Sequence, residues 1–174
     1  MFFLAQIFTG IGSLINIAAM QMRKKNSILL CFMTGGTFVG IGFLCLKAYS
    51  GAIVCFIGTI QTIINILYNR KNKELPKILI PIYMLSFIVA GVFTVEDTIG
   101  TIPVLANLIY VITIIQKKES NIRKLNIPMA ILWGTYSVFT GAYPVVISNT
   151  FILISTIIGI IRYDVFKQEK ELKT

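Results

Sequence analysis

The stretch AILWGTYSVFTGAYPVVISNTFILISTIIG, residues 130–159, places a tryptophan, an asparagine and several small polar residues inside otherwise apolar sequence. Part of its pattern occurs ninety-four positions upstream, where AYSGAIVCFIGTIQTIINILYN at 48–69 can be laid over AYPVVISNTFILISTIIGIIRY at 142–163. An Ala-Tyr pair and a threonine carry most weight, because isoleucine matches are common in apolar sequence. These matches are Ala48 with Ala142, Tyr49 with Tyr143 and Thr62 with Thr156. The stretch therefore indicates an internal repeat.

The composition is that of an integral membrane protein. Of the 174 residues, 56% are hydrophobic and only 13% are charged, and the mean hydropathy is +0.82. About a quarter of the residues of a typical soluble domain are charged. The formal net charge of +9 resides in short loops between apolar runs, so it reports membrane topology and does not indicate a nucleic-acid partner. The expected surroundings are a lipid bilayer.

The sequence argues against enzymatic and metal chemistry. It contains no histidine, no GxxxxGK[ST] motif and no pair of aspartates inside an apolar run, which removes the common hydrolytic and phosphate-binding motifs. Cys31, Cys45 and Cys55 lie in apolar runs without a CxxC spacing, so we expect no disulfide, metal site or cofactor. The N-terminal run MFFLAQIF follows no basic residue, and we interpret it as an uncleaved first span.

Seven apolar runs of roughly 17 to 21 residues are each about long enough to cross a hydrocarbon core of ~30 Å as a helix. They cover 2–21, 27–46, 50–68, 77–94, 98–115, 125–142 and 144–162. The last two runs are separated only by a tight turn. We therefore predict an all-α, polytopic membrane protein with seven transmembrane helices.

Basic residues mark alternate loops. Fifteen of the 16 lysines and arginines fall in the first, third and fifth loops and in the C-terminal tail, whereas the second loop holds only Lys47 and the fourth only Glu96 and Asp97. Lysine and arginine near span ends are retained in the cytoplasm. The sequence therefore predicts a multi-pass protein of the cell membrane with its N-terminus outside and its C-terminus in the cytoplasm.

This topology makes the two halves of the repeat parallel. Helices one and five run in the same direction, as do helices three and seven, so a duplicated three-helix unit needs one extra helix between its copies. We predict a single membrane domain in a 3+1+3 arrangement. It comprises a first three-helix bundle at 1–70, a linker helix at 76–94, a second three-helix bundle at 97–163 and a cytoplasmic tail at 164–174.

Polar side chains recur at helical spacing in several helices, and they define a candidate substrate site. Lipid cannot hydrogen-bond an amide, so each polar stripe is expected to face other helices or water. Small polar residues also mediate ordinary helix packing in membranes, and that alternative stays open for the threonines and also for the asparagines and the tryptophan. The candidate substrate-binding residues are Asn16, Thr62, Asn107, Trp133, Asn149 and Thr156, and the candidate hinges are Pro103 and Pro128.

Two segments, ILWGTYSVFTGAYPVVISNTFILISTIIGIIR and LKAYSGAIVCFIGTIQTIINILYNR, resemble the two halves of the YgjV-type bacterial inner membrane proteins. The 3+1+3 arrangement, with Trp133 sixteen residues before Asn149, also resembles the SWEET, SemiSWEET and PQ-loop superfamily. In its sugar-carrying members, a tryptophan on the second helix of a triplet and an asparagine on the third face the substrate. The resemblance implies an inner-membrane transporter in which Trp133 and Asn149 contact a sugar-like solute.

The first half of the chain departs from this pattern. Helices one and five lack the Pro-Gln dipeptide of the PQ-loop signature. Cys55 stands at the position that matches Asn149, and Phe38 or Val39 stands opposite Trp133. We therefore expect a site that is weighted toward the second half.

No charged residue lies in the middle of a predicted span, whereas proton relays and many ion-coupled carriers use such residues. The sequence therefore favours a facilitative transporter of a small polar neutral solute, working by alternating access between the two three-helix bundles. The alternative is a non-transporting membrane protein of the same fold with a regulatory or partner-binding role. Assembly into a homo-oligomer is open under both hypotheses.

Overall fold

The computed structural model describes residues 1–19, 25–71, 73, 75–95, 97–116 and 119–161. Within these residues the chain is all-helical and has seven α-helices, as predicted. They are α1 (Phe2–Ala19), α2 (Lys25–Cys45), α3 (Tyr49–Arg70), α4 (Leu79–Thr94), α5 (Thr101–Ile115), α6 (Glu119–Thr140) and α7 (Tyr143–Gly159). The predicted tail at 164–174 lies outside the described residues, as do Arg23, Lys24, Glu96, Lys117, Lys118 and Arg162.

Three of these helices are long and apolar enough to cross a membrane, namely Phe2–Ala19, Asn26–Cys45 and Tyr49–Arg70. The apolar helices α4, α5 and α7 are shorter, with 16, 15 and 17 residues. Two helices also begin at residues other than those predicted from the sequence. α5 begins at Thr101 and not at residue 98, because residues 98–100 form a turn in which Gly100 N–H donates to Asp97 Oδ1 at 2.7 Å. α6 begins at Glu119 and not at residue 125, because its helix continues into the charged loop.

Six of the helices form a closed ring. α1 packs on α2 and α2 on α3 in the first half, while α5 packs on α6 and α6 on α7 in the second. The halves meet where α1 packs on α7 and where α3 packs on α5. α4 packs against α3 and α5. Each half therefore contributes an arc of three helices, and α4 lies beside one of the two seams between the arcs.

Two helical hairpins, α2–α3 and α6–α7, have the same backbone geometry. In the first, Lys47 has φ 60° and Ala48 N–H donates to Phe43 O at 2.9 Å. In the second, Gly141 has φ 72° and Ala142 N–H donates to Ser137 O at 2.9 Å. A left-handed residue followed by this hydrogen bond across five residues is the Schellman way of ending a helix. The equivalent residues are ninety-four positions apart, which is the offset of the sequence repeat.

These two hairpins define one end of the ring, which we call the hairpin end. The opposite end carries the basic loops, including the C-terminus of α3 at Arg70 and the start of α2 at Lys25. Buried side chains from α2, α3, α6 and α7 fill the hairpin end. This cluster comprises Val39, Phe43, Ala52, Tyr136, Ala142 and Val145.

Close packing of α1 on α2 depends on glycine. A Cβ atom at Gly12 would lie only 2.6 Å from Gly35 O and 2.9 Å from Val39 N, both of which are backbone atoms that cannot move without shifting α2. A Cβ atom at Gly10, two residues earlier, would meet nothing closer than Pro144 Cβ at 3.9 Å. A side chain is therefore excluded at Gly12, whereas there is room for one at Gly10.

We predict that Gly12→Ala lowers the free energy of unfolding by ~1 to 3 kcal/mol, the usual cost of overpacking a well-filled contact. Thermal unfolding of the purified chain in detergent measures the effect. Gly10→Ala is the matched control on the same helix and is expected to keep or slightly raise the midpoint, because alanine favours the helix more than glycine does. Equal midpoints for the two variants would contradict the close α1–α2 contact.

Candidate functional site

The ring of six helices encloses a central cavity of about 160 Å³. Five of the six predicted binding residues line it, and they come from five different helices: Asn16, Thr62, Asn107, Trp133 and Asn149. Thr156 does not line the cavity. Its Oγ1 lies 3.2 Å from Asn126 Nδ2, and Asn126 does line the cavity, so Thr156 contacts the site only through that amide.

The two halves contribute equivalent positions to the cavity wall. Seven pairs of lining residues stand ninety-four positions apart: Ser13 with Asn107, Asn16 with Tyr110, Phe32 with Asn126, Gly36 with Ala130, Val39 with Trp133, Cys55 with Asn149 and Gly58 with Ile152. Residues at this offset thus line the same cavity although their side chains differ in chemistry. The pairing identifies Val39, and not Phe38, as the residue that matches Trp133.

Five lining residues with polar side chains were not among the predicted site residues: Ser13, Thr59, Tyr110, Asn126 and Ser148. Ser13 stands three residues before Asn16, and Tyr110 three residues after Asn107, so helical spacing would have found both. Asn126 is the partner of Phe32 in the repeat. Ser148 precedes Asn149 directly, and no spacing signal distinguishes it from an ordinary packing serine.

Several polar atoms at the cavity have no hydrogen-bond partner. Ser13 Oγ and Asn16 Oδ1 are buried without one. Asn107 and Asn149 are about nine-tenths buried, and each donates its amide N–H to the carbonyl of its own helix, at Pro103 O and Val145 O respectively. A buried polar group left unpaired costs ~1 to 3 kcal/mol. Ser13 Oγ and Asn16 Oδ1 are shielded from the cavity, whereas the amide oxygens of Asn107 and Asn149 accept no hydrogen bond from a described residue and are the groups that water or a solute would use.

An aromatic layer closes the cavity toward the hairpin end, and it consists of Phe43, Trp133 and Tyr136. The rings of Phe43 and Trp133 stack with centroids 5.8 Å apart, and Tyr136 lies 5.3 Å from Phe43 and 6.0 Å from Trp133. Trp133 faces the central cavity, whereas Tyr136 faces a second pocket of about 320 Å³ on the other side of the layer. One face of the indole is thus covered by Phe43.

The hydroxyl of Tyr136 fixes this layer in place. It accepts a hydrogen bond from Gly51 N–H at 3.1 Å and lies 3.2 Å from Ser50 Oγ. A Cβ atom at Gly51 would lie 2.5 Å from Tyr136 Cε1, so only glycine admits the ring here. Phe43, Ser50 and Gly51 belong to the first half and Trp133 and Tyr136 to the second. The contacts of Tyr136 with Phe43, Ser50 and Gly51 therefore join the two halves, whereas its contact with Trp133 lies within the second half.

The second pocket opens at the hairpin end and contains charged residues. Lys47 and Asp97 line it together with Ser50, Gly100 and Thr140. The central cavity differs, since its lining among the described residues includes no lysine, arginine, aspartate or glutamate. The described residues also contain no group of three His, Cys, Asp or Glu side chains that could hold a metal ion.

The predicted hinge prolines occupy different places in their helices. Pro103 is the third residue of α5, where a proline costs no helical hydrogen bond. Pro128 lies in the interior of α6, where its ring removes one backbone hydrogen bond and favours a bend. A hinge role stays a prediction for both.

Comparison with known proteins finds a match to one protein family. No curated protein and no solved structure matches the chain. The family model described as "Bacterial inner membrane protein" and named Imp-YgjV matches residues 3–167, which is nearly the whole sequence. The chain belongs to this Imp-YgjV family of bacterial inner membrane proteins.

Proposed function

We propose that this protein is a facilitative transporter of a small polar neutral solute, and that it works by alternating access between two three-helix bundles. The observation that carries the proposal is the central cavity, which is lined by equivalent positions of both halves and by polar atoms without partners. A site on the boundary between two repeats is where carriers of this design hold their substrate.

A duplicated three-helix unit is supported by the helix contacts. If α1 is equivalent to α5 and α3 to α7, then the contact of α1 with α7 corresponds to that of α5 with α3, and both are present. The matching hairpins at Lys47 and Gly141 support the same relation. In this proposal the bundles are 1–70 and 97–163, α4 is the linker, and all seven helices span the membrane.

The aromatic layer supplies the closed gate of the proposed cycle. Because basic loops stay in the cytoplasm, we assign the hairpin end to the outside and the present conformation to an inward-facing state. Rocking of one bundle against the other would separate Phe43 from Trp133 and Tyr136 from Gly51. Both contacts join the halves, so a rigid rotation of the bundles can break them without unfolding a helix.

The uncharged cavity supports passive transport. Moving an ionised group through the bilayer is costly, and coupled carriers bind their driving ions with charged side chains or dedicated oxygen ligands. The described lining residues offer amides, hydroxyls and one indole. In the proposed site the amides of Asn16, Asn107 and Asn149 hold the solute, and the uncovered part of the Trp133 indole contacts it.

The alternative function is that of a regulatory or partner-binding membrane protein without transport. The size of the cavity favours it, because about 160 Å³ is below the ~300 to 1,000 Å³ of typical ligand sites. The Thr62–Tyr110 hydroxyl contact at 2.9 Å also ties α3 to α5 and would strengthen a rigid ring. Transport measurements separate the two functions.

We predict that proteoliposomes containing the protein take up at least one solute from a panel of sugars, nucleosides, amino acids and small amides. Asn149→Ala is expected to reduce that flux about tenfold or more, because it removes a cavity amide. Ser155→Ala, at an exposed position on the same helix, is the control and keeps the flux. Absence of flux for every solute, with a folded protein, would favour the non-transporting alternative.

We predict that Tyr136→Phe opens the gate more often, because it removes the hydroxyl that binds Gly51 N–H. Loss of ~1 kcal/mol corresponds to about a fivefold rise in the open population. The reporter is Cys55, which lines the cavity, labelled by an impermeant maleimide from outside in a variant lacking Cys31 and Cys45. Tyr143→Phe, at an exposed position, is the control. Unchanged labelling of Cys55 would contradict the assignment of the aromatic layer as the gate.

We predict that the hairpin end faces outside. A cysteine placed at Thr140 in a background without native cysteines should react with an impermeant reagent added to whole cells, since this residue lines the outer pocket. A cysteine at Lys71, at the opposite end of α3, should react only after the membrane is permeabilised. The reverse result would invert the topology and the direction of the gate.

A further inference from the structure

We infer that the pocket at the hairpin end is the outer entrance of the protein, where a small polar neutral solute donates a hydrogen bond to the backbone carbonyl of Lys47, and that the seam between α1 and α7 stays closed. The inference rests on the proposed function for the solute and its transport, and it adds the path by which the solute arrives from outside. It follows from a comparison of the two seams between the halves at the hairpin end.

Side chains of α1 close the first seam, between α1 and α7. Gln6 Nε2 donates to Gly141 O at 2.9 Å, which ties α1 to the hairpin that joins α6 and α7. About one turn earlier, the ring of Phe2 meets that of Tyr143 edge-on, with centroids 6.4 Å apart. Both contacts join residues of different halves. The outer end of the first seam is therefore held by a hydrogen bond and a ring contact.

The second seam, between α3 and α5, has the equivalent backbone positions without these side chains. The residue ninety-four positions after Gln6 is Gly100, and the carbonyl that matches Gly141 O is Lys47 O. Because the two hairpins share a left-handed residue and the same closing hydrogen bond, these two carbonyls are oriented alike. Gly100 has no side chain to reach across, and Lys47 O accepts no hydrogen bond within the described part of the chain. The place of the Gln6 side chain is thus left open in the second seam.

A pocket of about 320 Å³ occupies that place. Lys47 and Gly100 both line it, as does Tyr49, the equivalent of the Tyr143 that contacts Phe2 in the first seam. Its volume lies at the lower end of the ~300 to 1,000 Å³ of typical ligand sites, and the central cavity is about 160 Å³. The outer pocket therefore has room for a solute that fits the central cavity.

The pocket offers a hydrogen-bond acceptor and balanced charges. A donor group of the solute, either N–H or O–H, would make with Lys47 O the bond that Gln6 makes with Gly141 O. Among the described lining residues, the charged side chains are those of Lys47 and Asp97, whose formal charges cancel. A pocket without net charge suits the same neutral solute as the uncharged central cavity.

The pocket leads directly to the aromatic layer. Tyr136 lines it, and the Tyr136 hydroxyl contacts Ser50 and Gly51 at the start of α3. Opening the second seam would separate α3 from α6 and break these contacts, while the first seam serves as the fixed side of the motion. The path of the solute from outside therefore runs through the pocket, past the aromatic layer and into the central cavity.

Cross-links between cysteine pairs test which seam opens. A Cβ atom at Gly100 would lie 3.5 Å from Ser50 Oγ, so the pair Ser50→Cys and Gly100→Cys links the second seam. The pair Phe2→Cys and Tyr143→Cys links the first seam. Both pairs are made in a chain without native cysteines, reconstituted in proteoliposomes and linked by the same reducible bifunctional methanethiosulfonate.

The measurement is uptake of radiolabelled glucose, uridine, glycine and acetamide before linking, after linking and after reduction. We expect the link across the second seam to abolish uptake and reduction to restore it. We expect the link across the first seam to leave uptake unchanged. Each variant is compared with its own reduced form, so the effect of the substitutions themselves cancels.

Gly100→Gln tests the entrance without a cross-link. The added amide is equivalent to Gln6 and is expected to donate to Lys47 O, which fills the pocket and holds the second seam closed. The readout is labelling of Cys55 from outside by the impermeant maleimide, in the variant that keeps Cys55 as its only cysteine. We expect labelling to slow about fivefold, the effect of one added hydrogen bond of ordinary strength. Gly100→Ala, at a residue with φ −62°, is the control and keeps the rate.

Several outcomes would overturn the inference. Loss of uptake with both links would show that the first seam also opens, and loss with neither link, or with the first-seam link alone, would exclude the second seam as the entrance. An unchanged rate of Cys55 labelling in Gly100→Gln would do the same. If Gly100→Gln fails to fold, the cross-links alone decide.

The carrier and the entrance can fail separately. Absence of uptake before any linking would overturn the carrier, and slower labelling of Cys55 in Gly100→Gln would still assign the pocket as the outer access path to the cavity. Uptake that responds equally to the two links would support the carrier and overturn the entrance. Absence of Cys55 labelling in the parent variant would contradict an outer path to the cavity altogether.

Discussion

The hydrocarbon core of a membrane offers no hydrogen-bond partner, and this constraint decides where the buried amide side chains of the protein lie. An asparagine or glutamine in an apolar helix must find its partners on a neighbouring helix, on its own backbone or in an enclosed cavity. Gln6 reaches Gly141 O on the α6–α7 hairpin, and Gln61 reaches Ser86 on α4. Asn107 and Asn149 use their own helices and turn their oxygens inward. The polar contacts between helices and the polar lining of the cavity therefore both result from the need of these side chains for hydrogen-bond partners.

Sequence periodicity predicted much of this arrangement, since a polar stripe on a helix specifies which face is buried. It singled out Asn16, Thr62, Asn107, Trp133 and Asn149, and all five line the central cavity. It could not specify neighbours across the ring. Thr156 has the right spacing along α7, yet it lies beside Asn126 and not at the cavity. Trp133 was expected to stack on a solute, but Phe43, distant in sequence, already covers one face of the indole.

Helix ends were harder to predict than helix faces. Hydropathy cannot separate an apolar turn from an apolar helix, and residues 98–100 were therefore assigned to α5 although they form a turn closed by Asp97. An apolar run assigned from hydropathy also ends at the first charged residue, whereas the α6 helix extends back to Glu119. The backbone conformation shared by the two hairpins left a trace in only a few residue types of the sequence. Lys47 and Gly141 share a left-handed conformation although their side chains have nothing in common.

The glycine at position 51 distinguishes the two halves of the chain. Tyr136 enters the space that a side chain at Gly51 would fill, and the residue that matches Gly51 in the other half is Val145. A dimer of two second halves would set valine against tyrosine, and a dimer of two first halves would have Gly42 in place of the tyrosine. Neither symmetric pair could form this closure. The close contact of Tyr136 with Gly51 therefore requires one half of each kind, as the single chain provides.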